Sequence, residues 1–374
     1  MKQNYIDHLN ELESQSNLRR IAGSVPQGLI NLSSNDYLGI AANQQFKAEF
    51  LEGQNFANLS FTAASSRLLT GNCPEYDRLE ERIARAYQRE SCLLFNSGYH
   101  ANIGILPALA GSGDLILADK LVHASIIDGL QLCKAEVRRF RHSNYQQLES
   151  LLQKYRTDYK RVFIVTESIF SMDGDLADLS QLVKLKKKYE AFLYVDEAHA
   201  LGVVGPLGLG LAEQAGLIDE VDFIVGTFGK ALASVGAFVV CDHVFKSYLI
   251  NSARSFIFTT ALPPLNLAWT DFIFTKMLQM QKQRQQLQQL IRSFSKGLNI
   301  PAQSHIIPVI IGENKEAVRV AEQLREEGYY ILPIRHPTVP EGTARLRLSL
   351  YAGLQLPELE QLMKQLAHHE ATLD

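Results

Sequence analysis

Residues Arg161–Gly202 read RVFIVTESIFSMDGDLADLSQLVKLKKKYEAFLYVDEAHALG. Two short apolar runs, Arg161–Thr166 and Phe192–Val195, enclose Leu179–Tyr189, in which apolar residues recur at helical spacing. A buried strand, a helix and a second buried strand form a βαβ unit, which places two parallel strands in one sheet. This stretch therefore predicts an α/β fold.

The same alternation of short apolar runs and longer amphipathic segments continues through the middle of the chain. Further predicted strands are Cys92–Phe95, Leu115–Ala118, Phe223–Val225 and Ala237–Val240. Further predicted helices are Tyr76–Arg89 and Tyr145–Lys154. The pattern predicts a mostly parallel central sheet with helices on both faces.

The pattern changes after Pro263 and Pro264. A long helix is predicted from Leu265 to about Phe294. The elements predicted after it are strands at Ile306–Ile311, near Tyr330–Leu332 and at Arg345–Leu350, and helices at Lys315–Glu327 and from Pro357. This mixture indicates a smaller α+β domain. The predicted organisation is an N-terminal segment (1–42), a large domain (43–262) and a C-terminal domain (263–374), which suits a chain of 374 residues.

The composition, with 46% apolar and 21% charged residues, is that of an ordinary globular protein. The net charge of -3 argues against a nucleic-acid-binding surface. The four cysteines include no C-x-x-C pair, which favours a reducing compartment over a disulfide framework or a zinc site. The polar N-terminus is unlike a targeting peptide, and the uncharged run between Arg254 and Asp271 is interrupted by two prolines. We therefore predict a cytoplasmic protein.

Lys230 is the only formally charged side chain between Phe223 and Cys241. Apolar surroundings disfavour the charged ammonium form, and a neutral lysine is a nucleophile suited to imine chemistry. The alternative is a lysine at a strand end whose amine reaches solvent, and this alternative is favoured when Lys230 is considered alone.

Asp196 ends the predicted strand before His199, and in open α/β sheets ligands bind beyond the carboxyl ends of strands. Asp196 could instead cap the next helix, with His199 a loop histidine. The letters DEAH also occur in ATPases, but no G-x-x-x-x-G-K-[ST] loop is present. Lys230 and Asp196 each follow a predicted strand of one sheet, and a lysine and a carboxylate are the two groups that a pyridoxal phosphate enzyme needs, one for the aldehyde and one for the pyridine nitrogen.

Other polar residues also follow predicted strands. In LLFNSGYHANIG, Ser97 could cap a helix whose first N–H groups, at Tyr99 and His100, could bind a phosphate. The remaining candidates are His123, which could stack on the cofactor ring, Ser171, which could bond to it, and Thr227, which could reach the phosphate. Metal binding is the competing use of these loops, but no clustered ligand spacing supports it.

The chain resembles the α-oxoamine synthases, which are pyridoxal phosphate enzymes of fold type I. These enzymes condense an amino acid with an acyl-CoA thioester and release carbon dioxide. The motifs that carry the resemblance run nearly end to end: LINLSSNDYLGI, SSRLLTGN, LLFNSGYHAN, LADKLVHASIIDG, IFSMDGDLADL, VDEAHALGVVGPLGLG, TFGKALASVGA, FIFTTALPP and IRHPTVPEGTARLRLSL.

The resemblance implies roles for residues at matching positions. The implied catalytic residues are Lys230, which forms the Schiff base, Asp196, which pairs with the pyridine nitrogen, and His123, which stacks on the ring. The other implied cofactor contacts are Tyr99, His100 and Thr227 at the phosphate, Ser171 and His199 at the ring substituents, and Thr260 at the phosphate of a partner subunit. The implied substrate contacts are Arg19, His123, Thr338 and Arg347. A homodimer with shared active sites follows from the role of Thr260.

Within the family, the tail IRHPTVPEGTARLRLSL is most similar to members that join L-alanine to a pimeloyl thioester, carried by CoA or by a carrier protein. Another acyl-CoA condensation, such as that of glycine C-acetyltransferase, stays open, as does a non-catalytic partner subunit. Strand alternation puts Arg345 and Arg347 on one face, and only the resemblance favours Arg347 as the substrate contact. Alanines stand where relatives usually have glycines, in Lys-Ala-Leu-Ala (230–233) and in Thr-Ala-Ala (62–64).

Overall fold

A computed structural model describes residues 2–21, 23–56 and 59–370, and the predicted domain ranges include a few residues outside these. The chain forms two compact units. The large unit comprises Leu38–Phe170 and Leu176–Arg284, and the small unit comprises Met1–Tyr37, Ser171–Asp175 and Gln285–Asp374. The chain enters the small unit at Gln285, later than the boundary predicted at residue 263.

The strands in chain order are β1 (Ile30–Asn31), β2 (Ser91–Phe95), β3 (Leu115–Asp119), β4 (Glu136–Phe140), β5 (Val162–Glu167), β6 (Phe192–Asp196), β7 (Phe223–Thr227), β8 (Ala237–Cys241), β9 (Ile306–Gly312), β10 (Tyr329–Tyr330), β11 (Pro333–Ile334) and β12 (Ala344–Ser349). The α-helices are α1 (Gln3–Ser14), α2 (Gln44–Gly53), α3 (Pro74–Ala86), α4 (Gly98–Leu109), α5 (Ala124–Leu132), α6 (Tyr145–Tyr155), α7 (Leu179–Tyr189), α8 (Leu211–Gln214), α9 (His243–Ser252), α10 (Arg254–Ile257), α11 (Pro264–Leu278), α12 (Gln281–Leu298), α13 (Asn314–Glu326) and α14 (Leu356–Glu370).

The large unit contains a seven-stranded sheet in the order β2-β8-β7-β6-β5-β3-β4. Strands β3 to β7 pair in parallel, while β8 runs antiparallel to both of its neighbours. The prediction of a mostly parallel sheet is confirmed. The sequence did not reveal β4, EVRRF, because its charged side chains break the apolar pattern, and its place at the sheet edge explains why charge is tolerated there.

The central strands are apolar along their whole length because helices cover both faces of the sheet. Every residue of β2, β3, β5, β7 and β8 is buried. The core joins strand residues such as Ile116, Val165 and Val225 to helix residues such as Ile105 and Ile126. Burial of each such side chain contributes roughly 1.5–3 kcal/mol to folding. The packed sheet and helices therefore hold the ends of the strands in fixed positions.

The long helix predicted from Leu265 to about Phe294 is wrong, because the structure has two helices, α11 and α12. Buried Arg284 explains the break. Its guanidinium donates to the carbonyl oxygens of Met277 (2.8 Å) and Leu278 (3.2 Å), which lie in the last turn of α11. Leucine periodicity continues across the break, so it could not show the interruption.

The small unit contains a three-stranded sheet in the order β11-β12-β9, with antiparallel pairing, and a separate parallel pair of β1 and β10. The strand predicted near Tyr330–Leu332 is in fact two short strands, β10 and β11, that belong to different sheets. The prediction of extended chain in this region is confirmed, and the prediction of a single strand is wrong.

In the large unit, three neighbouring parallel strands end in polar residues. Glu167 of β5 pairs in register with Asp196 of β6, and β7 ends at Thr227. Because the carboxyl ends of parallel strands meet at one edge of a sheet, this edge is where a ligand is expected to bind. No helix in the described part of the chain is long and apolar enough to cross a membrane.

Candidate active site

A cavity of about 160 Å³ lies at this edge of the sheet, within the large unit. It is bounded by the ends of β5, β6 and β7 and by the first turns of α4 and α5. The lining residues are Gly98, Tyr99, Asn102, His123, Ser125, Glu167, Asp196, Ala198, His199, Thr227 and Lys230. The cavity thus brings together six predicted site residues with five that the sequence did not single out.

Lys230 lies in the turn after β7 and is half-buried. Its Nζ is 2.7 Å from Nε2 of His199, a buried residue in the turn after β6. The imidazole therefore fixes the position of the amine at the cavity. A lysine that simply reached bulk solvent would not lie against a buried ring.

Asp196 is buried, and each of its carboxylate oxygens accepts a hydrogen bond. Oδ1 accepts from the backbone N–H of Ala198 (2.9 Å), and Oδ2 accepts from Nδ2 of Asn102 (2.8 Å). The first bond closes a local turn, and the next helix, α8, begins only at Leu211, so the alternative that Asp196 caps a helix is wrong. The second bond comes from α4 and holds the carboxylate on the cavity.

His123 is the N-cap residue of α5. Its Nδ1 accepts from the backbone N–H of Ser125 (3.2 Å) and lies 2.8 Å from the hydroxyl of the same residue. The surrounding protein removes solvent from the cavity side of this otherwise exposed ring, and this desolvation lowers the pKa of His123. Asp196 opposes the shift and Lys230 adds to it. The neutral imidazole is therefore favoured.

Glu167 is a second buried acid beside Asp196, and the sequence analysis gave it no role. In the part of the chain that the structure describes, its Oε1 has no hydrogen-bond partner. Burial raises the pKa of Glu167 well above its ordinary value, and the charge of Asp196 raises it further. The protonated form of Glu167 is therefore more favoured in the folded protein than in the unfolded chain.

The start of α4 differs in one detail from the sequence expectation. Ser97 caps the helix, but its Oγ accepts from the N–H of His100 (3.2 Å), so that N–H is already used. Gly98 and Tyr99 of the first turn line the cavity, where the positive end of the helix dipole favours an anion. The phosphate seat predicted here thus rests on the first turn of α4 and on Thr227.

The remaining predicted cofactor contacts lie elsewhere. His100 and Thr260 belong to the large unit but do not line the cavity, and the carbonyl of Thr260 accepts from Asn96 (2.6 Å). Ser171 belongs to the small unit. The roles of these three residues stay predictions.

The predicted substrate contacts other than His123 belong to the small unit. The guanidinium of Arg19 donates to the hydroxyl of Thr338 (3.1 Å). Arg345 and Arg347 are both buried, and Arg345 forms an ion pair with Asp173.

Arg347 instead has neutral partners. It donates to the carbonyl oxygen of Ser171 (2.5 Å) and to the hydroxyl of Ser349 (2.7 Å), and it lies near the phenol of Tyr37. Among the described residues Arg347 makes no ion pair, so its charge remains available to an anionic ligand, whereas that of Arg345 is already compensated.

The sequence missed Asn102, Ser125, Glu167, Gly98 and Ala198 as cavity residues. Ser125 lies two residues after His123 and Glu167 lies four residues before Ser171, and Asn102 lies one helical turn after Gly98. That helical spacing could have placed Asn102 at the cavity. The orientation of its side chain could not have been read from the sequence, because it depends on β6.

The cavity residues fit pyridoxal phosphate. Lys230 could hold the aldehyde, Asp196 could pair with the pyridine nitrogen, and the first turn of α4 with Thr227 could hold the phosphate. Within residues 2–21, 23–56 and 59–370, no group of three His, Cys, Asp or Glu side chains is arranged to hold a metal ion.

Comparison with known proteins agrees with this chemistry. Residues 27–366 match the family model "Aminotransferase class I and II". A protein of Haemophilus influenzae (strain ATCC 51907), named "Putative 8-amino-7-oxononanoate synthase", is 53% identical over 370 residues, which cover 94% of this chain and 97% of that protein. A protein of the same name from Pasteurella multocida (strain Pm70) is 50% identical over 375 residues, covering 96% and 97%.

Solved structures show the same fold. Serine palmitoyltransferase from S. paucimobilis, solved with a bound PLP–myriocin aldimine, has a TM-score of 0.90 at 29% identity and covers 100% of this chain and 98% of its own. The 8-amino-7-oxononanoate synthase of Francisella tularensis has a TM-score of 0.79 at 29% identity, covering 93% and 99%.

The fold and the cavity define a pyridoxal-phosphate-dependent transferase of fold type I. The chain belongs to the aminotransferase class I and II family.

Proposed function

We propose that the protein catalyses the decarboxylative condensation of L-alanine with a pimeloyl thioester, which yields 8-amino-7-oxononanoate, carbon dioxide and a free thiol. This reaction belongs to biotin biosynthesis. The names of the relatives carry the proposal: proteins about half identical to this chain over nearly its whole length are named for this reaction. The lysine and the acid that the reaction needs, Lys230 and Asp196, both line the cavity.

Pyridoxal phosphate, when bound, supplies an electron sink for the carbanion of the amino acid. Asp196 would hold a proton at the pyridine nitrogen and so strengthen that sink. The amine of Lys230 would remove the proton from Cα of alanine as a general base. Neutral His123 can donate a hydrogen bond to a carbonyl oxygen of the acyl group and orient it.

Arg347 is the proposed contact for a substrate carboxylate, because its charge is uncompensated while that of Arg345 is paired with Asp173. The other substrate contacts proposed from the family resemblance are Arg19 and Thr338.

We further propose a homodimer in which Thr260 reaches the phosphate in the partner subunit. The acyl donor is a thioester of CoA or of a carrier protein.

The test offers alanine, glycine and serine, each with pimeloyl-CoA, pimeloyl-carrier protein, acetyl-CoA and palmitoyl-CoA, and measures thiol and carbon dioxide release. We expect release with alanine and a pimeloyl donor. Turnover with glycine and acetyl-CoA alone would identify a glycine C-acetyltransferase, and turnover with serine and palmitoyl-CoA would match the serine palmitoyltransferases that share the fold.

Lys230→Ala is the matching variant. It should abolish turnover and the visible absorbance that borohydride erases, because no amine remains to bind the aldehyde. Lys184→Ala, at an exposed lysine of α7, is the control and should behave as wild type. Wild-type turnover by Lys230→Ala would contradict the role assigned to Lys230. If the unmodified protein lacks this absorbance band, it is a non-catalytic subunit.

A further inference from the structure

A continuous hydrogen-bonded path joins Asp196 to His123 through two buried residues that the proposed mechanism does not use. Asn102 of α4 and Ser125 of α5 are each only 1% exposed. Nδ2 of Asn102 lies 2.8 Å from Oδ2 of Asp196 and 2.9 Å from Oγ of Ser125. Oγ of Ser125 in turn lies 2.8 Å from Nδ1 of His123.

The orientation of the Asn102 amide is fixed by its neighbours. A carboxylate can only accept hydrogen bonds, so the Asn102 atom that faces Asp196 must be the amide nitrogen. The amide oxygen then faces Tyr194, whose hydroxyl donates to it. Burial raises the pKa of Tyr194 well above its ordinary value, so that hydroxyl keeps its proton.

The direction of donation continues through Ser125. Because the Ser125 hydroxyl accepts from Asn102, its hydrogen is free to point at Nδ1 of His123. The backbone N–H of Ser125 donates to the same Nδ1 (3.2 Å). A ring nitrogen that accepts a backbone N–H uses its single lone pair and cannot carry a proton of its own, so the proton of a neutral His123 must be on Nε2.

We propose that Asn102 and Ser125 are positioning residues that transmit the orientation of Asp196 to His123 and hold His123 as its Nε2–H tautomer. Nε2 is then the ring nitrogen that can donate to an oxygen of a molecule in the cavity. The tautomer itself does not depend on the substrate, whereas its effect on turnover rests on the proposed function.

The test is ¹⁵N NMR of the protein labelled at histidine, without cofactor or substrate. His123→Asn identifies the signals of His123. We expect an unprotonated Nδ1 and a protonated Nε2 at neutral pH. Ser125→Ala removes one donor to Nδ1 and should lower the ratio of the Nε2–H to the Nδ1–H tautomer by roughly fivefold. Ser125→Thr keeps a hydroxyl and should retain the wild-type ratio.

Two further variants separate this path from general damage. Asn102→Leu should lower the ratio, because Ser125 loses the donor that orients it. Tyr194→Phe removes the other partner of Asn102 but leaves the path intact, so it should lower stability and keep the wild-type ratio.

A protonated Nδ1 in the wild-type protein, or a wild-type ratio in folded Ser125→Ala, would overturn the proposal. Circular dichroism establishes that each variant is folded. If Asn102→Leu does not fold, the wild-type spectrum and Ser125→Ala still decide the matter.

Turnover of the holoenzyme is measured separately. Ser125→Ala should lower kcat by on the order of tenfold, less than the roughly 100-fold that loss of a general acid costs, and Ser125→Thr should not. If the expected tautomer is present but alanine and the pimeloyl donors give no product, the proposed function fails and the positioning role stands.

Discussion

At the scale of single residues, Glu167 shows how a buried acid affects stability. Its pKa is raised in the folded protein by burial, by the nearby charge of Asp196 and to a small extent by Asp119, while Lys230 and the backbone N–H of His123 oppose the shift. The folded state therefore binds more protons than the unfolded state once the pH exceeds the unfolded value, near 4.5. Stability must fall as the pH rises from there toward the folded pKa.

Glu167→Gln replaces this group with one that does not titrate. Relative to wild type, the variant should gain free energy of unfolding as the pH rises from 5 to 8, by up to about 1.4 kcal/mol for each pH unit over which Glu167 stays protonated. Urea denaturation of both proteins at several pH values measures the difference. A difference that does not change with pH would mean that Glu167 titrates normally.

A second prediction at the residue scale concerns the alanines that replace usual family glycines. Ala233 and Ala64 both have left-handed backbones, with φ of 46° and 51°. This conformation costs an alanine roughly 1–2 kcal/mol, partly offset by the extra freedom of glycine in the unfolded chain. Ala233→Gly should therefore stabilise the protein by up to about 1 kcal/mol.

The matched control is Ala231→Gly in the same turn, where the residue is buried and its φ is not positive. It should destabilise the protein by roughly 0.5–1 kcal/mol. Thermal denaturation measures both variants, and a destabilised Ala233→Gly would show that the turn does not strain this residue.

The two buried arginines of β12 give a third prediction. Arg347→Lys should raise the KM for the carboxylate-bearing substrate by roughly 10- to 100-fold, since lysine cannot reproduce a bidentate contact. Arg345→Lys should leave the KM near its wild-type value, because the partner of Arg345 is Asp173. Steady-state kinetics, with each substrate varied in turn, measures the KM of both variants. A raised KM in Arg345→Lys but not in Arg347→Lys would make Arg345 the substrate contact.

At the scale of elements, the packing of α4 against α5 positions the Asn102–Ser125 path. A Cβ on Gly129 of α5 would lie 2.6 Å from the carbonyl oxygen of Asn102 and 3.3 Å from Cα of Ile103, both backbone atoms of α4. Gly129 is therefore the close contact that sets the spacing of the two helices.

Gly129→Ala should separate these helices and destabilise the protein by about 1–3 kcal/mol, the usual cost of overpacking. Gly111→Ala is the control, because its Cβ would meet only Oδ2 of Asp114 at 3.9 Å. Denaturant midpoints of both variants measure the effect, and equal midpoints would show that the helices adjust without cost.

At the scale of the whole molecule, the proposed shared active site can be tested by mixing subunits. Lys230→Ala and a Thr260 variant chosen for its low activity are each expected to have little activity as homodimers. If Thr260 acts in the partner subunit, a hybrid dimer contains one site with both residues intact, so an equimolar mixture after subunit exchange should regain about a quarter of wild-type activity. Absence of any recovery, with exchange verified by mass spectrometry, would place Thr260 in its own subunit's site.

The cytoplasmic location of the protein and the donor of the pimeloyl group also concern the whole molecule, and both stay predictions.

The predicted division into 1–42, 43–262 and 263–374 differs from the two compact units, in which chain segments distant in sequence are combined. Short-range patterns cannot show such a combination, because it depends on contacts between residues that lie hundreds of positions apart.

Residue patterns alone predict the α/β architecture and the two groups of the proposed chemistry. Apolar runs of strand length are sufficient to locate the central strands, because a covered parallel sheet requires apolar side chains on both faces. Lys230 and Asp196 were found because each follows such a run, and the ends of parallel strands converge on one edge.

The break between α11 and α12, the edge strand β4 and the cavity residues Asn102 and Glu167 are visible only in the folded chain. The physical reason is the same in each case. A capping arginine, a sheet edge, an amide that reaches a neighbouring strand and a buried acid beside another acid all depend on contacts that sequence periodicity does not encode.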